Sequence, residues 1–175
     1  MKIISILLIT ILLTSCSGNN MKPIDFKGQK PRLIIEDYLS GNIKAWGILQ
    51  NRSGKVTRQF SAELNGKWDG KQLILDEKFN WSDGEIQKRQ WQINKIDQHN
   101  YEGTAGDVVG TAKGYSYGPT FKFEYVLLVP IKGKNIKITF DDWIFQQDDK
   151  VAINKATMTK FGIKVAELTV LFLKD

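Results

Sequence analysis

Charged side chains on otherwise apolar faces are the candidates for chemistry in this 175-residue chain. In an extended strand alternate residues share a face. In LILDEKFNW, that face holds Leu73, Leu75, Phe79 and Trp81, with Glu77 among them. In EIQKRQWQI it holds Trp91 and Ile93, with Arg89 beside them. A three-residue turn Ser82–Asp83–Gly84, with Gly84 left-handed, sets Trp81 opposite Glu85, Leu75 opposite Trp91 and Glu77 opposite Arg89. Further on, TFKFEYVLLVPI puts Phe121, Phe123, Tyr125, Leu127, Val129 and Ile131 on one face. NIKITFDDWIF does the same for Ile136, Ile138, Phe140, Asp142 and Ile144. A two-residue turn Gly133–Lys134 predicts Ile131 opposite Ile136 and Tyr125 opposite Asp142. A turn centred on Asp148–Asp149 predicts Ile144 opposite Ile153 and Asp142 opposite Lys155. Three neighbouring strands then offer Tyr125, Asp142 and Lys155 to one interior, as a site for a polar head group. Phe121, Phe123 and Phe140 would receive an apolar tail, and Glu77, Arg89 and Trp91 complete the candidate ligand-binding set. The alternative is structural: a charged pair on an apolar face can be an internal bridge that fixes register.

Enzyme chemistry finds little support. Glu77 and Asp142 could do acid–base work as a carboxylate pair, but nothing in the sequence brings them together. The one histidine, His99, falls in the turn DQHN and reads as a solvated loop residue. Base–nucleophile pairs, zinc spacings and phosphate-loop motifs are missing. The glycines of GTAGDVVGTAKGYSYG precede no helix and mark bends or a rim. No catalytic residue, metal site or cofactor is expected, and the chain reads as a non-enzyme.

The elements that must position these residues are strands. Turn signals recur every 15 or 16 residues from position 50 on: RSGK, NGKWDGK, SDGE, DQHN, a Gly-rich stretch ending YSYG, KGKN and QDDK. Between them lie segments rich in β-branched and aromatic residues. The predicted strands are 43–50, 56–66, 71–81, 85–96, 101–109, 119–131, 135–146, 151–159 and 163–173. An open meander of this length would leave two exposed edges, and closure removes them. The expected fold is therefore all-β: an antiparallel up-and-down barrel of eight or nine strands over residues 32–175. PRLIIEDYLSG predicts a short helix closing one barrel end, with Ile34, Ile35, Tyr38 and Leu39 on one face. A strand there is the alternative.

The N-terminus gives an address. Met1 and Lys2 precede the apolar run Ile3–Leu13, which reads as a secretory signal and is too short to span a bilayer. LTSC, at Leu13 to Cys16, resembles the lipobox of bacterial lipoproteins, and Cys16 is the only cysteine. The resemblance implies cleavage after residue 15 and acylation of Cys16. Residues 16–31, SGNNMKPIDFKGQKP after the cysteine, read as a flexible tether spanning about 20 Å. Ser17 in place of an aspartate leans toward the outer membrane, facing the periplasm. With no second thiol there is no disulfide, so the fold rests on packing. The net charge of +6 is scattered, which excludes a nucleic-acid stripe and modestly favours an anionic lipid surface.

YLSGNIKAWGILQNRSGKV, DGEIQKRQWQI, FDDWIFQ and KFGIKVAELTVLF resemble the DUF3833 lipoproteins of Gram-negative bacteria. The resemblance covers nearly all the chain after Cys16 and implies a calycin-type, lipocalin-like barrel without an established activity. The expected function is a membrane-anchored envelope lipoprotein whose barrel binds an apolar, lipid-like or fatty-acid-like ligand. A side-chain-filled barrel that holds a partner by its surface is the alternative, and an unrecognised lipid-modifying enzyme the third possibility. Ligand identity and oligomeric state are not written in these residues.

Overall fold

The computed structural model describes residues 21–175. Ten antiparallel strands form one closed up-and-down barrel: β1 (Gly41–Asn51), β2 (Val56–Trp68), β3 (Gln72–Trp81), β4 (Ile86–Lys95), β5 (Asn100–Thr104), β6 (Ala112–Tyr117), β7 (Thr120–Ile131), β8 (Lys134–Gln146), β9 (Val151–Lys160) and β10 (Ile163–Lys174). Each strand pairs with its neighbours in sequence, and β1 closes on β10. The all-β barrel expected from the turn spacing is the fold. The strand count differs because the predicted strand 101–109 ends at Thr104, and the Gly-rich stretch read as a turn contains β6. The inward positions of β6 are Ala112, Gly114 and Ser116, so it has no large apolar alternation to read.

The β2–β3, β4–β5, β6–β7 and β8–β9 turns share one barrel end with the helix α1 (Ile35–Tyr38). Leu33, Ile35, Tyr38 and Leu39 are buried there as a plug. Glu36 is buried too, which demands partners: its carboxylate accepts from the Lys95 ammonium and from the Tyr101 hydroxyl at 2.9 Å. Burial works against its charge, yet Lys95 and Tyr101 together hold its pKa below the usual glutamate value. Lys174 Nζ donates to the carbonyls of Tyr38 and Ser40 at 2.9 and 2.8 Å. Gly66 leaves room for this plug: a Cβ there would sit 1.8 Å from the Leu39 carbonyl oxygen.

Before the plug, Pro23–Phe26 forms a 3-10 turn on the outer wall, with the Phe26 ring 6.1 and 6.0 Å from those of Trp143 and Phe145. Within the expected flexible tether, Phe26 is thus fixed against the barrel, while most of residues 21–31 are exposed. The expected signal peptide 1–15, Cys16 and the rest of the tether lie outside the described residues.

The hairpin registers decide what faces inward. β3 and β4 pair as anticipated: Leu75 opposite Trp91, Glu77 opposite Arg89, with Gly84 left-handed at φ 87°. β7 and β8 differ from expectation by two residues. Their turn is Lys132–Gly133, with Ile131 opposite Lys134, Tyr125 opposite Phe140 and Phe123 opposite Asp142. Both turn residues are left-handed, φ 50° and 75°, which suits glycine at the second place. The slide of two keeps every inward face.

β8 and β9 differ by one residue, which does not. Ile144 lies opposite Asn154 and Asp142 opposite Ala156. The cause is the loop: the Asp148 side chain accepts from the backbone N–H of Lys150 and Val151 at 2.8 and 2.7 Å, and pairing resumes at Gln146–Ala152. Ala152, Asn154 and Ala156 therefore point inward. Lys155 points outward, 57 % exposed, and pairs with Glu167 at 3.2 Å.

One wall is incomplete. The β4–β5 ladder covers only Gln92–Lys95, so the outer half of β4 has no strand on that side. The β5–β6 loop pairs instead with β7, through Val109 N–H to Val126 O at 2.8 Å and Leu128 N–H to Asp107 O at 2.9 Å.

Candidate functional site

Inside the barrel are two adjoining chambers. The deeper one, about 100 Å³, reaches the plug at Leu39 and is walled by Trp91, Phe121, Phe123 and Ile144, with Glu77, Asp142 and Asn154. The outer one, about 200 Å³, opens at the end opposite the plug and is lined by Trp81, Leu127, Phe140 and Met158 together with Asp107. Phe60, Phe79, Arg89, Tyr125 and Leu168 belong to both, so they mark the waist between them.

The aromatic lining follows from the sequence alternation. Tyr125 stacks on Phe140 with centroids 5.0 Å apart and planes at 12°. Trp91 meets Phe123 at 5.0 Å and Tyr125 at 5.2 Å. Three strand glycines lie beneath such rings. A Cβ on Gly47 would be 2.3 Å from the Phe60 ring, on Gly103 2.5 Å from Phe123, and on Gly114 2.8 Å from Phe121. Absent side chains on one strand thus give space to aromatic ones on another.

The polar groups form two hydrogen-bonded sets on either side of the waist, one around Arg89 and one around Asp142. Arg89 donates from Nε and Nη2 to the Asp107 carboxylate at 3.1 and 2.8 Å, across the incomplete wall. Its Nη1 stands 3.6 Å from Glu77 Oε2. The register sets Glu77 opposite Arg89, as the turn predicts, but the guanidinium fork is taken by Asp107 rather than by Glu77. Glu77 Oε2 is buried with no hydrogen-bond partner. Tyr125 donates its hydroxyl to Asp142 at 2.8 Å. Asn154 Nδ2 donates to the other Asp142 oxygen and to the Trp143 carbonyl at 3.1 Å.

Electrostatics follow from this geometry. Burial pushes the Glu77 carboxyl up to about 7, with Arg89 pulling the other way and too distant to restore it. Burial likewise raises Asp142, against the hydrogen bonds from Tyr125 and Asn154. The Tyr125 hydroxyl is driven well above its usual value by burial and by Asp142. Burial disfavours the Arg89 cation, but Glu77 and Asp107 outweigh it and keep the guanidinium charged. Three carboxyl groups therefore share one cation. At the mouth, Arg58 lies 4.0 Å above the Trp81 ring and bonds Asp83 and Glu85 at 2.7 Å each.

Of the nine candidate ligand-binding residues, the chambers bring together Glu77, Arg89, Trp91, Phe121, Phe123, Tyr125, Phe140 and Asp142. Lys155 leaves the set, being on the outer surface; the inward register of β9 substitutes Asn154. Asp107 and Asn154 escaped sequence reasoning. Asp107 sits in a Gly-rich loop without strand alternation, and Asn154 needed the parity of the loop before it. His99 is half-buried rather than solvated: its ring stacks on Tyr117 at 4.1 Å and its Nδ1 meets the Ser116 carbonyl at 2.8 Å. It lies at the plug end, outside both chambers. Among the described residues, no group of three or more His, Cys, Asp or Glu is arranged to hold a metal ion.

The model of a family described as "Protein of unknown function (DUF3833)" matches residues 10–174. No curated protein sequence matches the chain significantly. Among solved structures, it is similar to the S-type phycobiliprotein lyase CPES from Guillardia theta, with a TM-score of 0.60 and 7% identity over 80% of this chain and 90% of that one. It is also similar to a DUF3598-family protein of unknown function from Nostoc punctiforme, with a TM-score of 0.62 and 12% identity over 84% of this chain and 51% of that one. At such identities the likeness is one of fold.

Proposed function

Since this chain belongs to the DUF3833 family, we propose that it is an envelope lipoprotein, acylated at Cys16, whose barrel binds a small amphiphile and performs no reaction. The sequence LTSC supports the anchor, with the outer membrane as its site and the periplasm as the compartment the barrel faces. The observation that carries the binding reading is the pair of chambers meeting at a polar waist, with one buried carboxylate oxygen of Glu77 left unpartnered. An apolar cavity with a few convergent polar groups is the usual form of a small-molecule site. Here the apolar part is aromatic and the polar part is acidic.

That balance specifies the head group. A fatty-acid carboxylate would meet Glu77 and Asp142 with its only cation, Arg89, already held by Asp107. An amine or a hydroxyl would find acceptors. The preferred ligand is thus an amphiphile with a cationic or neutral donor head and a short apolar body.

The test is displacement of N-phenyl-1-naphthylamine, a fluorescent apolar probe, from the purified chain by decylamine, decanol and decanoate. Amine and alcohol are expected to displace it at lower concentration than the carboxylate. If the probe is not taken up and none of the three binds, the ligand reading fails. If decanoate competes best, only the head-group assignment fails. A filled barrel that serves a protein partner is the second reading, favoured by the small volume of the deeper chamber, about 100 Å³.

A further inference from the structure

The mouth of the barrel carries a second chemical feature, on its outside and independent of any interior ligand. β8 pairs with β9 only from Thr139 on, so residues 134–138 have β7 as their sole partner. The β7–β8 hairpin therefore projects as a two-stranded finger past the neighbouring β9–β10 turn. Its tip is Ile131, 45% exposed, followed by Lys132, Gly133 and Lys134. The β9–β10 turn reads Lys160, Phe161, Gly162, Ile163, Lys164. Phe161 is 92% exposed and Ile163 55%.

Phe161 also holds a left-handed φ of 51°, a conformation that a bulky residue rarely adopts. The ring is almost wholly in solvent, and its contact is the Lys160 ammonium, 5.4 Å from the ring centroid. Between finger and turn lies an open cleft of about 420 Å³, with Ile136, Ile138 and Val165 in its wall. The β1–β2 turn beside them adds Arg52 and Lys55. None of the three turns contains a carboxylate. Lys164 is taken by Glu167 at 2.6 Å, while Lys132, Lys134 and Lys160 have no ion pair among the described residues.

Exposed apolar side chains at turn tips, ringed by unpaired cations, match the boundary between lipid head groups and acyl chains. We infer that the β7–β8 finger and the β9–β10 turn dock on an anionic bilayer surface, with Phe161 and Ile131 entering the interface and the lysines meeting lipid phosphates. The 3-10 turn Pro23–Phe26 packs on the plug-end half of β8, the opposite end of that strand from the finger, so the docking rests on the finger and the β9–β10 turn alone.

The test uses the full chain carrying Cys16→Ser and Ile131→Cys, the new thiol labelled with an environment-sensitive nitrobenzoxadiazole dye. Its emission is expected to shift to the blue on phosphatidylglycerol vesicles and not on phosphatidylcholine alone. A control label at Gln98→Cys, in an exposed turn at the plug end, stays unmoved. Lys132→Gln with Lys160→Gln should weaken vesicle binding roughly 30-fold, at about fivefold per lysine near an anionic surface. Phe161→Ser should weaken it with the charges intact. The inference is overturned if the chain floats with vesicles while the label at 131 does not respond, since the N-terminus alone would then hold it. It is overturned equally by a shift indifferent to lipid charge. A shift that grows with protein concentration in the absence of vesicles would assign the surface to a second copy.

Discussion

Replacing Glu77 by Gln should remove a specific pH dependence of stability. The Glu77 carboxyl rises from 4.5 to about 7 on folding because it loses water without gaining a close partner. A raised acid binds its proton more tightly in the fold than in the unfolded chain. Its contribution is fully present below about pH 4.5 and is lost as pH rises to about 7. At about 1.4 kcal/mol per pH unit the loss is roughly 3 kcal/mol. Glu77 is only 12% exposed, so solvent screening removes little of this. Gln keeps the volume and cannot ionise, so the variant should match the wild type near pH 4.5 and exceed it by roughly 3 kcal/mol at pH 8. For a domain of this size that is roughly 6–12 °C in melting temperature. Thermal unfolding of both chains between pH 4.5 and 8.5 measures it. Surface carboxylates away from the chambers contribute equally to both curves, so the difference between them reports residue 77 together with its coupling to Asp142 and Asp107. Parallel curves would place Glu77 in water and remove the buried network on which the head-group preference rests.

Three further outcomes follow from the geometry. Arg89→Ala leaves Glu77 and Asp107 without their cation, and loss of one member of a buried pair costs about 3–5 kcal/mol; denaturant unfolding at pH 8 should show it, with a smaller loss at pH 5, where the stranded carboxyl takes a proton. Gly66→Ala should displace the plug, because the added Cβ meets the backbone oxygen of Leu39 at 1.8 Å; faster hydrogen exchange at Ile35–Leu39 reports it, and unchanged protection contradicts the packing. Cys16→Ser should block acylation, so that the chain is released from membranes or left unprocessed; a variant that matures and fractionates with membranes as before would refute the lipobox reading.

The hairpins were legible to the extent that their turns declared a parity. At Ser82–Gly84 the apolar residues on both sides are odd-numbered, and a three-residue turn is the economical solution, so the Glu77–Arg89 pairing is legible in the sequence. At Lys132–Gly133 the parity was right and the slide of two was not, which is harmless to facing but moves Tyr125 from directly opposite Asp142 to a diagonal. At Asp148 the outward Ile153 suggested the wrong face, and the true inward residues, Ala152, Asn154 and Ala156, are small or polar. Small inward residues also hid β6. Where large side chains line a strand, alternation reveals it; where a neighbour's ring fills the space, the strand beneath looks like a loop. Asp107 belongs to neither pattern, since only the shortness of β5 brings its loop across to Arg89.

The glycines beneath the aromatic rings bear on how the family could diversify. Gly47 with Phe60, Gly103 with Phe123 and Gly114 with Phe121 are complementary in volume, so each pair has to drift together. Losing the ring opens a recess floored by bare backbone, and the hydrogen-bonded ladder stays as it was. A side chain gained on the glycine first would collide with the ring. Changes compatible with the fold therefore run in one order, ring before glycine, and relatives that differ at Phe60, Phe121 or Phe123 should retain the glycine beneath.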